Sequence, residues 1–231
     1  MQLNRPFATV TPTLDGDVLA VLALSDNTFT ITQIQRILAT ASGEGIRKVL
    51  SRLTTQGVVV QDRVGRTNTY RLNSEHLAAE PILALARLTA TFLQRLQRHL
   101  ADWKEAPKYA AVFDSAATGR MTLDSGIDVF VIRAAPTKRP DDRPDSGHWG
   151  QQVADLARSI TVWTGNNGRI VEYTEDELDR AIAAGEPLLA EIAAQHVADI
   201  GDELHQHRPV PPQPVLDAAV DLLRRPVPDH R

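Results

Sequence analysis

The chain of 231 residues is 42% hydrophobic and 23% charged, carries a formal net charge of −4 and contains no cysteine. Those values fit a globular protein with room for one large or two modest domains, and they exclude disulfides and thiolate metal centres. The opening MQLNRPFATV lacks the charged-then-apolar pattern of a secretory signal, and no apolar run nears the roughly 20 residues of a membrane span, so a soluble cytoplasmic protein with no membrane partner is expected.

Charge is distributed unevenly. Between Thr30 and Arg71, seven cations (Arg36, Arg47, Lys48, Arg52, Arg63, Arg66 and Arg71) face only Glu44 and Asp62, a net +5 that leaves −9 for the rest of the chain. A basic segment in an acidic protein points to local contact with a polyanion. Just upstream, Leu14, Val18, Leu19, Val21 and Leu22 recur at helical spacing, with Asp15 and Asp17 suited to a first turn. Ser25-Asp26-Asn27 breaks the pattern, and Ile34, Ile37 and Leu38 predict a second helix with Thr32 as its N-cap. A short turn, Thr40 to Gly43, leads to a third helix that Ser42 can cap. Its apolar face is Ile46, Val49, Leu50 and Leu53, and Gly57 is its stop. Val58 to Leu72 then reads as two strands around a turn at Gly65-Arg66-Thr67-Asn68.

Helix, helix, turn, helix, hairpin is an order that resembles the winged helix-turn-helix domains of bacterial transcription regulators, and the resemblance covers most of residues 1–73. It implies double-stranded DNA as a partner and the third helix as the recognition helix. Arg47, Lys48, Ser51 and Arg52 on that helix, with Glu44 and Thr55 beside them, and Arg63 and Arg66 in the wing, are the expected contacts. Residues near the start of such a helix reach base edges, while wing arginines meet phosphates. The plainer alternative is a small helical domain whose arginines are a solvated face.

Residues 74–106 predict a connecting helix. Ser74 caps a short turn, Pro81 suits a first turn, and Ile82, Leu85, Leu88, Phe92, Leu96, Leu100 and Trp103 form a stripe. The stripe either packs on a domain or forms a homodimer seam. From Pro107 onward, Lys108–Phe113, Ile127–Ile132 and Arg169–Tyr173 read as strands. Pro136–Gly147 reads as a proline-rich loop, and His148–Trp163 as a helix. Thr174 to Glu177 is a capping box opening a helix that ends at Gly185, and Pro187–Ala194 is helical again. The whole is an α+β chain. Residues 204–231 form a proline-rich tail with a short amphipathic helix at Val215–Arg225. The close pair His205 and His207 lacks partners at metal-ligand spacing.

Residues 107–203 resemble the minimal nucleotidyltransferase domain of the DNA polymerase β superfamily. The resemblance rests on AVFDSAATG for the Gly-Ser turn, LDSGIDVFVI for the Asp-x-Asp strand, and WTGNNGRIVEYTEDEL for the strand bearing a third carboxylate. It implies a nucleoside triphosphate (NTP) and magnesium as cofactors, because nucleotidyl transfer needs a cation to neutralise phosphate charge. Carried over, Asp128 and Glu172 are the catalytic and metal-binding carboxylates, and Ser115 and Gly119 belong to the nucleotide-binding turn. The departures fall on the chemistry. Gly126 stands at the first carboxylate, Asp114 at the phosphate-cradling glycine, and Thr118 where many relatives carry arginine. Asp124 lies four residues before Asp128, about 13 Å along an extended strand, too far to share an ion unless the chain bends; Asp114 is the other carboxylate that could swing toward a metal.

The reading that follows is a DNA-binding regulatory protein whose second domain is a nucleotide-sensing or protein-binding pseudoenzyme. The alternative is an active magnesium-dependent enzyme moving a nucleoside monophosphate from a triphosphate to a small molecule or a protein, as in toxin–antitoxin pairs.

Overall fold

A computed structural model of the chain describes residues 1–133, 148–194 and 198–199. The fold is α+β, and it divides after Thr91 into two compact units. The first unit opens with a single 3-10 turn at Pro6–Thr9, followed by α1 (Leu14–Leu22), α2 (Ile31–Leu38) and α3 (Gly43–Thr55). β1 (Val59–Val64) and β2 (Thr67–Leu72) then form an antiparallel hairpin. Val18, Val21 and Leu22 of α1, Ile34 of α2, and Ile46, Val49, Leu50 and Leu53 of α3 make one core with Phe7, Val59 and Tyr70. The expected apolar faces of α1 and α3 are therefore the observed ones, but Ile37 is half exposed.

Local chemistry sets the helix ends. The cap of α2 is Thr30 and not Thr32: its hydroxyl accepts from the Gln33 N–H, and the Gln33 side chain accepts from the Thr30 N–H, a closed capping box. Ser42 caps α3 as expected, accepting from the Gly45 N–H at 3.1 Å. Between α2 and α3, Ala39 has φ 48° and ψ −46°, and the Thr40 N–H donates to the Leu38 carbonyl, a tight γ-turn that an L-residue enters only under strain. The hairpin turn is shorter than the sequence suggests. Val64 pairs with Thr67, so Gly65 and Arg66 alone make the turn, with Gly65 at φ 61°.

The expected connecting helix is two helices, α4 (Ala79–Ala86) and α5 (Leu88–Ala101), separated at Arg87. Ile82 joins the core of the first unit, whereas Phe92, Leu96, Leu100 and Trp103 are buried with the second. The apolar stripe is thus used within the chain.

In the second unit, β3 (Tyr109–Phe113), β4 (Ile127–Arg133), β5 (Gly168–Thr174) and β6 (Ala198–Asp199) form a sheet in the order β5-β4-β3-β6. β3 is antiparallel to β4 and β6, and β4 is parallel to β5. α6 (His148–Thr164) covers one face, while α7 (Glu175–Ala183) and α8 (Pro187–Ala194) cover the other. The second face is built by Phe113, Phe130, Ile132, Val171 and Tyr173 against Leu178, Leu189 and Ile192. Thr174 and Glu177 form the expected capping box of α7, and the Thr174 N–H and hydroxyl hold the Glu177 carboxyl below the usual carboxylate range. The expected loop Pro136–Gly147 and the tail 204–231, with its histidine pair and short helix, lie outside the described residues. Among the described residues no helix is long and apolar enough to cross a membrane.

Gly168 sets how closely α6 approaches β5. A Cβ there would lie 2.6 Å from the Ala157 carbonyl oxygen and 2.9 Å from the Ile160 Cβ, both on α6. Gly168→Ala should therefore overpack this contact and cost about 2 kcal/mol, read as a lower urea midpoint at unchanged slope; an unaltered midpoint would contradict the packing.

Candidate functional site

Two groups of residues carry candidate chemistry, one in each unit. In the first, the buried face of α3 leaves Glu44, Arg47, Lys48, Ser51, Arg52 and Thr55 exposed on the opposite side. These six expected contacts do share one face. Their charges are not equally available. Arg47 pairs with Glu44 one turn earlier, Arg52 pairs with Asp15 in the first turn of α1, and in the hairpin Arg71 pairs with Asp62 at 3.5 Å. Arg63 donates from Nε to the Gly65 carbonyl at 3.2 Å, bracing the turn it flanks. Lys48 and Arg66 are both exposed, Lys48 on the third helix and Arg66 at the hairpin tip. Arg52 thus belongs to an ion pair holding α3 to α1, a role the sequence reading did not assign.

In the second unit Ser115 and Gly119 follow the end of β3, Asp128 lies near the start of β4, and Glu172 lies in the second half of β5. Asp128 is buried, with 5% of its surface exposed. It is directly beside Arg169 in the parallel register, and the guanidinium grips it with two bonds: Nε to Oδ1 at 2.7 Å and Nη2 to Oδ2 at 2.8 Å. This fork-to-fork geometry is the strong form of a carboxylate–arginine contact. A Cβ added at Gly126 would lie 3.1 Å from the same Nε and 3.0 Å from the Asn167 carbonyl oxygen. A longer side chain at 126 would therefore crowd both the Asn167 carbonyl and the Arg169 guanidinium.

Glu172 does not join Asp128. Side chains alternate across a strand, and the register pairs Asp128 with Arg169 but Val131 with Glu172. Glu172 consequently faces α6, where it accepts a hydrogen bond from the Trp149 indole N–H. The expected pair of metal-binding carboxylates is corrected accordingly, since the two acids lie on opposite faces of the sheet. Among the described residues, no group of three or more His, Asp or Glu side chains could hold a metal ion. The residues present do not fit a magnesium centre: one expected ligand is glycine, one is engaged by a guanidinium, and one points away.

The turn expected to cradle phosphate is closed on itself. Ser115 lies in a 3-10 turn at Asp114–Ala116 and is half-buried. The N–H groups of Ala117 and Thr118 and the Thr118 hydroxyl all donate to the Asp114 carbonyl, and the Arg120 N–H donates to the Ser115 carbonyl. Those donors are spent within the turn. Asp114 itself has φ 58° and Gly119 has φ 70°, so the backbone at 114 takes the left-handed form that glycine favours, with aspartate in its place.

At the C-terminal end of β5 a cleft of about 580 Å³ is lined by Arg133, Trp149, Glu172, Tyr173, Thr174 and Glu177. Arg133 pairs with Glu105 at 3.0 Å and lies over the Trp149 ring, 5.1 Å from its centroid. Burial and the hydrogen bond to Glu186, 2.8 Å long, push the Tyr173 phenol up to about 12. No protein-family model matches the sequence, and no curated protein matches it.

Arg169 is the residue that sequence reasoning missed. Its signal was parity: Arg169 and Glu172 differ by three positions, so only one of them can face Asp128. Arg169→Ala should destabilise the second unit by about 2 kcal/mol, because it strands a buried carboxylate. Adding Asp128→Asn should recover part of that loss. Strictly additive effects in the urea-unfolding cycle would show that the pair is not coupled.

Proposed function

We propose that the protein is a DNA-binding regulator in which a winged helix-turn-helix unit is joined to a nucleotidyltransferase-like unit that has lost its metal centre. The observation that carries the DNA reading is the exposed face of α3, where Arg47, Lys48, Ser51 and Thr55 stand clear of the core, with Arg66 at the tip of a two-residue hairpin turn. A helix that buries one side in a three-helix core and offers the other to a groove suits major-groove entry, with the hairpin reaching the adjoining phosphates. The ion pairs of Arg47, Arg52 and Arg71 reduce the charge available for nonspecific contact, so Lys48 and Arg66 carry most of it.

The second unit supports a sensing or protein-binding role more than a catalytic one. Phosphoryl chemistry depends on a cation placed against the developing charge. Here Arg169 already balances Asp128, and Glu172 lies beyond the sheet. A nucleotide or a protein partner remains the proposed occupant of this unit.

Two measurements test these statements. Full-length protein should bind duplex DNA with an affinity that falls as salt rises, and Arg66→Ala or Lys48→Ala should each flatten the log–log salt slope by about 1; identical slopes would remove the hairpin and helix from the interface. In the second assay, label from a radiolabelled triphosphate should not be transferred in the presence of magnesium. Gly126→Asp alone should change nothing, because the new carboxylate meets Arg169, whereas Gly126→Asp with Arg169→Ala should tighten magnesium binding. Brisk metal-dependent transfer by the unaltered chain would overturn the pseudoenzyme reading.

A further inference from the structure

The first turn of α3 has an unusual make-up for a face offered to a polyanion. It reads Gly43-Glu44-Gly45, so Glu44 is the only long side chain in it, and it stands 60% exposed. Three residues on, Arg47 is 62% exposed and donates from Nη1 to Glu44 Oε2 at 2.5 Å. A lone acid here opposes attraction to phosphates. An exposed pair at this spacing adds little to the stability of a helix, which is a small return for that opposition. The pair has another use. Side by side, it presents the free N–H donors of a guanidinium next to a carboxylate acceptor.

In the major groove a G·C pair shows two acceptors, guanine N7 and O6, followed by the cytosine N4 amino donor. An A·T pair shows acceptor, donor, acceptor and then a methyl group. Donors followed by an acceptor match the first pattern. Against A·T, the carboxylate would meet the thymine O4 acceptor and the methyl group. The flanking glycines add no side chain that would hold the helix start away from base edges.

We infer that Glu44 and Arg47 act as one base-reading unit that selects a G·C pair with guanine under Arg47 and cytosine under Glu44, and that Glu44 also suppresses binding to other sequences. This rests on the DNA reading above and adds to it the sequence class that the helix prefers. Lys48 and Arg66, which have no such partner among the described residues, supply affinity without selection.

The test is selection from a randomised duplex pool on the full-length protein, followed by anisotropy titration of the selected duplex and of its G·C-to-A·T variant. The unaltered protein should prefer the G·C version on the order of tenfold at one position per bound unit. Glu44→Ala should reduce that preference to less than about twofold while raising affinity for unselected DNA, since a repulsive charge is gone. Arg47→Ala should abolish the preference and weaken binding. Arg66→Ala should weaken binding to both duplexes alike and keep the preference. Selected sites without a G·C position, or a preference that survives Glu44→Ala, would overturn the inference while leaving DNA binding intact. Failure to retain any duplex at low salt would remove the DNA reading and this inference together. If the pair only steadies the helix, Glu44→Ala will shift thermal unfolding slightly and leave the selected sequence unchanged, which also overturns it.

Discussion

The parallel pairing of β4 with β5 governs what the second unit can do. Once Asp128 is set beside Arg169, two-residue alternation decides every other encounter along the two strands. Val171 and Tyr173 follow Arg169 onto the face covered by α7 and α8, while Gly168 and Glu172 turn toward α6. A shift of one residue would exchange these sets, burying Glu172 among the aromatics and placing Tyr173 against the helix. The bidentate ion pair and the glycine contact with α6 both hold the register against that shift. Asp128, expected from the sequence to hold a metal, is therefore a structural joint that ties two strands together.

The first unit shows the same economy with charge. Seven cations fall between Thr30 and Arg71, yet Arg52 ties α3 to α1, Arg71 spans the hairpin, and Arg63 braces the turn. A count of basic residues overstates the charge on offer to a polyanion. The proposed interface has few unengaged cations and one acid, a composition better matched to discrimination than to tight general adhesion.

Much of the fold was legible in the sequence because its signals are local. Periodicity marked α1 and α3, alternation and apolar runs marked β3, β4 and β5, and Ser42 and Thr174 marked two helix starts. The misses arose where a local signal had two readings. Thr30 and Thr32 are both plausible caps, and only the reciprocal bond with Gln33 selects the first. The apolar stripe from Ile82 to Trp103 runs unbroken through Arg87, so the division into α4 and α5, serving different units, leaves no mark in the pattern. At the candidate site, the parity of Arg169 and Glu172 within their strand was readable. Which of them meets Asp128 was not, because that depends on how two strands distant in sequence align.

The connection between β4 and β5 has a kinetic consequence. Residues 134–167 separate the two strands, and α6 lies within that interval, so their ladder closes only after a long excursion of chain. The hairpin of β1 and β2 closes over two residues, and the three helices before it meet their partners nearby. During synthesis from the N-terminus, the first unit has all its contacts in hand before Gly168 is made. Until then Asp128 lacks its guanidinium and one edge of β4 lacks its strand partner, the kind of open edge that invites wrong pairing.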